Sequence, residues 1–190
     1  MTIARSIGRP VRFTLEDAQR ASDEWGANCG PGAIAAICGM TLDELRPHLG
    51  DFESKRYTNP KLMFETLGRL QPILGFSLNI RSTGALQWPR FGLARIQWEG
   101  PWTAPGVPVP ARYRHTHWVG CSSDPDFPSK PGTEEPNIFD INAMCVGGWI
   151  PLSEWSESLV PWLLKECEPN ANGKWHLTHV IEVFLPGGAA

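Results

Sequence analysis

Over the first 75 residues apolar positions recur every three to four residues, and beyond Gly75 they alternate with polar ones, so helices come first and strands later. Residues 1–14 mix basic and apolar positions without a period and are expected to form an extended arm or edge strand. Leu15 to Trp25 reads as a short acidic helix. The run Ala33-Ile34-Ala35-Ala36-Ile37-Cys38-Gly39 predicts a buried helix starting close to Cys29, with Pro31 in its first turn, where a missing N–H costs nothing. Thr41 with Glu44 three residues on is a capping-box pattern and predicts a helix to about Leu49. Pro60 at a first helical position, followed by Leu62, Met63, Phe64, Leu67 and Leu70, predicts another.

Phe76 to Ile80 and, less strictly, Leu93 to Trp98 alternate as strands do. Prolines at 101, 105, 108 and 110 predict a surface loop without regular structure. His115 to Cys121 reads as a central strand, 122–136 as a proline-rich excursion, and Asn137 to Asn142 as a short strand followed by the segment Val146 to Ile150. Trp155, Leu159 and Leu163 make Leu152 to Leu164 an amphipathic helix, kinked or broken at Pro161. Trp175 to Leu185 is the longest strand candidate. The order predicts an α+β fold with a mainly antiparallel sheet and no internal repeat.

Composition narrows the class. The 190 residues suit a single domain, and 42% hydrophobic with 19% charged residues can bury a core. No apolar run approaches the ~18 residues of a membrane span, and the arginines at 5 and 9 have no apolar segment behind them to make a secretory signal. Seventeen basic and 20 acidic residues are interspersed, for a net charge of −3, so no field gathers nucleic acid or an anionic membrane. The five cysteines (29, 38, 121, 145 and 167) include no Cys-x-x-Cys pair, which fits neither a disulfide framework nor a zinc ribbon. Reduced thiols in a cytoplasmic compartment are the expectation.

Cys29 stands where the flexible Gly26, Gly30 and Gly32 meet the start of a buried helix. A thiol there feels unpaired N–H donors and partial positive charge, which favour the thiolate and can also hold an oxyanion. The competing reading is a small buried cysteine in a glycine-rich turn. His117 lies on the predicted central strand, and Asp140 lies between apolar neighbours on the next one, so adjacency of the strands would let the acid orient the imidazole towards the thiol. His115 shares the face of His117 and competes for the same role.

The segment Asn28-Cys29-Gly30-Pro31-Gly32-Ala33-Ile34-Ala35 resembles the Asp/Asn-Cys-Gly-Pro-x-Ala-Leu-Ala motif of papain-like cysteine peptidases, most closely the double-glycine-leader peptidases that process bacteriocins and their free-standing relatives. The resemblance implies a papain-like fold over residues 15–185, its central helix opened by Cys29 and packed on the sheet. It also implies a triad of Cys29, His117 in His117-Trp118-Val119, and Asp140. That family carries a Gln six residues ahead of the Cys whose amide helps form the oxyanion hole. Position 23 here is Asp, Gln19 lies one turn further back and Asn28 adjoins the nucleophile, so Gln19, Asp23 and Asn28 are the oxyanion-hole candidates.

Trp118 and Trp149 are candidates for shielding the cleft from water, with plain core packing as the alternative. His115, His117, His176 and His179 could in principle gather a metal, but His176-x-x-His179 on a regular strand puts the rings on opposite faces, and neither metal nor cofactor is expected. Cys38, Cys121, Cys145 and Cys167 are expected to be small buried hydrophobes. The leading expectation is a thiol hydrolase cleaving a peptide or isopeptide amide of a peptide or protein substrate. The alternatives are a decayed papain-like scaffold serving as a binding module in a larger protein assembly, and a peptidoglycan amidase or endopeptidase.

Overall fold

The computed structural model describes residues 11–26, 28–83, 85–123 and 135–184. Helix α1 (Leu15–Trp25) opens with a full capping box between Thr14 and Asp17 and closes on Gly26 in the left-handed conformation. Helix α2 (Cys29–Cys38) is buried at every position from Gly30 to Cys38, which is why its sequence is small and apolar all round. Short helices α3 (Leu42–Leu45) and α4 (Phe52–Lys55) follow, and α5 (Pro60–Leu74) starts at Asn59, whose side chain caps the Leu62 N–H at 2.8 Å. Strands β1 (Ser77–Arg81) and β2 (Phe91–Trp98), helix α6 (Val109–Arg112), and strands β3 (Thr116–Ser122), β4 (Asn137–Phe139) and β5 (Trp149–Pro151) come next. Helices α7 (Leu152–Glu154) and α8 (Val160–Cys167) and strand β6 (Trp175–Phe184) complete the chain.

The six strands form one sheet in the order β1-β6-β2-β3-β4-β5, antiparallel throughout. The class is α+β, with a layer on each side of the sheet. On one face α1, α2, α3 and α5 pack over Leu93, Trp118, Phe139 and Ile181. On the other, Trp155, Val160 and Leu164 close over Ala94, Ile96, Val119, Cys121 and Ile138, with Trp98 and Trp175 among them. Alternation along each strand serves two cores at once, so β2 and β3 are buried at nearly every position.

Several expectations change at the edges of elements. Residues 1–10 of the predicted arm lie outside the described residues, while Phe13 is buried in the helical core rather than extended along an edge. The predicted 41–49 helix divides into α3 and a 3₁₀ turn over Arg46–His48, because Pro47 removes the N–H that would continue it. The 101–110 loop carries a 3₁₀ turn at Pro101–Thr103 and then α6, whose prolines sit in first turns, where they are tolerated. Strand β4 stops at Phe139, short of the expected Asn142, and residues 141–146 coil into a 3₁₀ helix. A π-helical turn over Trp155–Leu159 links α7 to α8, so Pro161 starts a helix instead of breaking one. Cys145 and Cys167 are exposed, unlike the buried Cys38 and Cys121.

Gly30 shows how tightly the start of α2 is held. A Cβ there would lie 2.4 Å from Thr58 Cγ2 and 2.8 Å from Thr58 Cβ. Thr58 is itself tethered, since its carbonyl accepts the Trp118 indole N–H at 3.1 Å. Gly30→Ala is expected to destabilise the protein by about 1–3 kcal/mol in denaturant unfolding; an unchanged midpoint would show that the Thr58 segment yields freely.

Candidate active site

The nucleophile candidate is placed by the helix start. Asn28 donates from Nδ2 to the Ala18 carbonyl at 3.0 Å, tying α1 to the residue before Cys29. The first α2 hydrogen bond runs from the Gly32 N–H to the Asn28 carbonyl at 2.9 Å, so the Cys29 and Gly30 N–H groups lie ahead of the helical ladder. Cys29 is half-buried.

The end of β4 opens the place where Cys29 meets the sheet. Phe139 is the last residue of β4 and pairs with Gly120, leaving Trp118 without a β4 partner on that edge of β3. The Trp118 backbone N–H and the His117 side chain both hydrogen-bond the Cys29 sulfur. Close approach of α2 is permitted by Gly120, where a Cβ would stand 3.2 Å from Ile37. The helix thus reaches the sheet from one face, the imidazole lies on the other, and they meet at the open edge.

His117 Nε2 donates to Asp140 Oδ2 at 2.9 Å, which leaves Nδ1 as the ring nitrogen for Cys29. Asp140 is completely buried, with every lone-pair direction used. Oδ2 also accepts the Trp155 indole N–H at 2.8 Å, and Oδ1 accepts the Asn142 backbone N–H at 2.9 Å and its Nδ2 at 2.8 Å. The Trp98 ring stacks beside His117, centroids 5.9 Å apart. A buried carboxylate so fully bonded is a rigid orienter of the imidazole.

Electrostatics follow from the geometry. Burial pushes the Cys29 thiol up, but the hydrogen bond and charge of His117, with the Trp118 N–H, bring it below the ordinary thiol value. Burial likewise opposes charge on His117, yet Asp140 and then Cys29 hold it well above the ordinary histidine value. Asp140, despite burial, is kept below the usual carboxylate range by His117, the Asn142 N–H and Trp155. Cys38, buried with no such partner, is pushed up to about 12. Cys29 and Cys38 lie nine positions apart on one helix, and the contrast between them is chiefly the work of His117.

Other expectations resolve differently. His115 is excluded as the base, because its Nδ1 is bound to Glu168 Oε2 at 2.8 Å and its ring stacks on Trp102 at 3.7 Å. Gln19 and Asp23 are exposed on α1, and the Gln19 amide donates to Asp23 Oδ1 at 2.8 Å. With the Asn28 amide nitrogen given to Ala18, the Cys29 and Gly30 N–H groups are the oxyanion donors that the helix start offers. Trp118 is a core side chain that gives its indole N–H to the Thr58 carbonyl at 3.1 Å, and its backbone N–H acts on the Cys29 sulfur. Trp149 packs edge-on against Phe139, at 5.6 Å.

A bulge in β6 overturns one face assignment. The register passes from Leu177 opposite Ile96 to His179 opposite Arg95, so Thr178 is extra, and His176 and His179 fall on the same face. Even so, no group of three or more His, Cys, Asp or Glu side chains is arranged to hold a metal among the described residues. Trp155 and Asn142 bond Asp140 and Trp98 stacks on His117, roles for which periodicity along the chain carries no signal. No described helix is long and apolar enough to cross a membrane. Comparison with protein-family models, with curated proteins and with solved structures found no match.

Proposed function

We propose that this chain is a papain-like cysteine hydrolase that cleaves a peptide or isopeptide amide. The observation that carries the reading is the hydrogen-bonded chain Cys29, His117, Asp140, with the thiol at a helix start and its acidity opposite to that of Cys38. The Cys29 thiolate attacks the amide carbon, and the oxyanion forms towards the N–H groups of Cys29 and Gly30. The His117 imidazolium gives its Nδ1 proton to the leaving nitrogen as the C–N bond breaks, leaving a thioester on Cys29. Neutral His117 then takes a proton from water, whose oxygen attacks the thioester; the C–S bond breaks, the acid is released, and the Cys29 thiolate and His117 imidazolium are restored. Asp140 holds the ring throughout and keeps its own charge.

Incubation with a peptide library and with peptidoglycan, wild type against Cys29→Ala, tests the reading. Cleavage of peptides by the wild type alone is the expected result. Turnover of peptidoglycan alone would transfer the site to a cell-wall amidase, and turnover of neither would leave a binding scaffold for a protein partner.

A further inference from the structure

Apart from His117, Arg95 in the middle of β2 is the one basic side chain that is fully buried among the described residues, 6% exposed. Its Nη2 donates to Thr116 Oγ1 at 3.1 Å, its Nε has no partner, and the Tyr113 ring lies 4.9 Å from the guanidinium carbon. Among the described residues no carboxylate is bonded to it, and the groups that favour its charge are Tyr113 and Cys29. Taking a guanidinium out of water without an anion is costly, and a charge kept under that cost points to a ligand that brings the anion.

Two neighbours repeat the signal. Gln97 Oε1 and His179 Nδ1 are also buried and unpartnered. Arg95 pairs across the ladder with Trp118 on one side and His179 on the other, and Gln97 lies two residues along β2 opposite Thr116, so all three share one face of the sheet. Each unmet group carries a desolvation cost that a bound partner would remove. The nucleophile is close, because Trp118, directly opposite Arg95, gives its N–H to the Cys29 sulfur. Cross-strand Cα atoms are roughly 4.5–5.5 Å apart. Helix α2 covers this face from the Cys29 end, and Tyr113, 41% exposed in the connection between β2 and β3, lies over the guanidinium.

We infer that Arg95 is a substrate-recognition residue of the Cys29 site and takes a carboxylate of the peptide next to the amide that is cleaved. The inference rests on Cys29 being the nucleophile. Nε and the Nη nitrogens present a planar fork to a carboxylate, Gln97 Oε1 can accept a peptide N–H, and the exposed Tyr113 ring is the cover that the ligand displaces. The carboxylate comes from an Asp or Glu side chain or from a free C-terminus.

Alkylation reads the charge without knowing the substrate. Iodoacetate carries a carboxylate and iodoacetamide is its neutral counterpart, and both are attacked by the same sulfur, so the ratio of their rates at Cys29 cancels any change in thiolate population. The wild-type ratio is expected to favour iodoacetate, to fall about tenfold in Arg95→Gln, the loss of one charge-assisted contact, and to survive in part in Arg95→Lys. An unchanged ratio in folded Arg95→Gln, or a wild-type Cys29 that reacts fast with iodoacetamide but shows no preference, overturns the inference. A Cys29 no faster than the other cysteines with iodoacetamide overturns the Cys29 reading instead. If Arg95→Gln does not fold, the wild-type and Arg95→Lys ratios decide. For cleavage, peptides with Glu, Gln or Lys beside the scissile bond, each with a free or amidated C-terminus, separate the two carboxylate sources. Preference for neither source over its amide overturns the inference.

Discussion

His117→Ala is expected to slow alkylation of Cys29 by iodoacetamide at pH 7 by about a hundredfold. Without the imidazole, burial and the Asp140 charge push the thiol up against the Trp118 N–H alone, and burial by itself pushes Cys38 on the same helix up to about 12. Each unit by which the thiol rises above pH 7 removes about a decade of thiolate, and the greater nucleophilicity of a more basic thiolate returns about half of that loss. The sign can be read from the pH profile. In the wild type the acid limb of the labelling rate should lie below the ordinary thiol value of about 8.5, and in His117→Ala it should move to the alkaline side. Mass spectrometry of the five cysteines measures both, with exposed Cys145 and Cys167 as internal references. A variant labelling within about threefold of wild type would end the assignment of His117.

Asp140→Ala carries the second large effect, this time on stability as well as reactivity. It strands a buried imidazolium and leaves the Trp155 indole, the Asn142 N–H and the Asn142 amide without their acceptor. Removing one partner of a buried, hydrogen-bonded charge pair costs about 3–5 kcal/mol, which for a domain of this size lowers Tm by about 10 °C or more. Asp140→Asn keeps the shape and separates charge from packing. It should fold better than the alanine variant, yet shift the Cys29 labelling limb upward, because the imidazolium loses its counter-charge.

The pH dependence of stability has two sides. Asp140, lowered in the folded state, contributes stability that is present above about pH 4, its unfolded value, and lost as pH falls through the lower folded value. His117, raised, contributes stability that is full below about pH 6.5 and lost as pH rises through the raised folded value. Thermal melts of Asp140→Asn should show both slopes reduced relative to the wild type.

Much of the local structure was legible along the chain because it is local in cause. The Thr41 capping box and Pro60 at a helix's first position are settled by residues within one turn. The switch from helical to strand period named the α+β class, and Cys29 was marked by the glycines around a helix start. The strand Leu93 to Trp98 also held a signal that periodicity could not interpret, a charged Arg95 among apolar residues on a strand buried on both faces.

What the neighbouring residues could not decide was which groups share a place. His115 and His117 are equivalent by alternation; only the position of Glu168 and Trp102 on one side and Asp140 on the other separates them. Trp155 reaches Asp140 across 15 residues, and the β6 bulge that brings His179 to the Arg95 face is a property of pairing between strands far apart in the chain. Local propensity acts through a few consecutive dihedrals, so the chain itself determines helix caps, strand period and the helix start that bears Cys29. The early end of β4, the open edge where the thiol meets the imidazole, and the burial of Arg95 depend on desolvation and strand register, and those exist only once distant segments have packed.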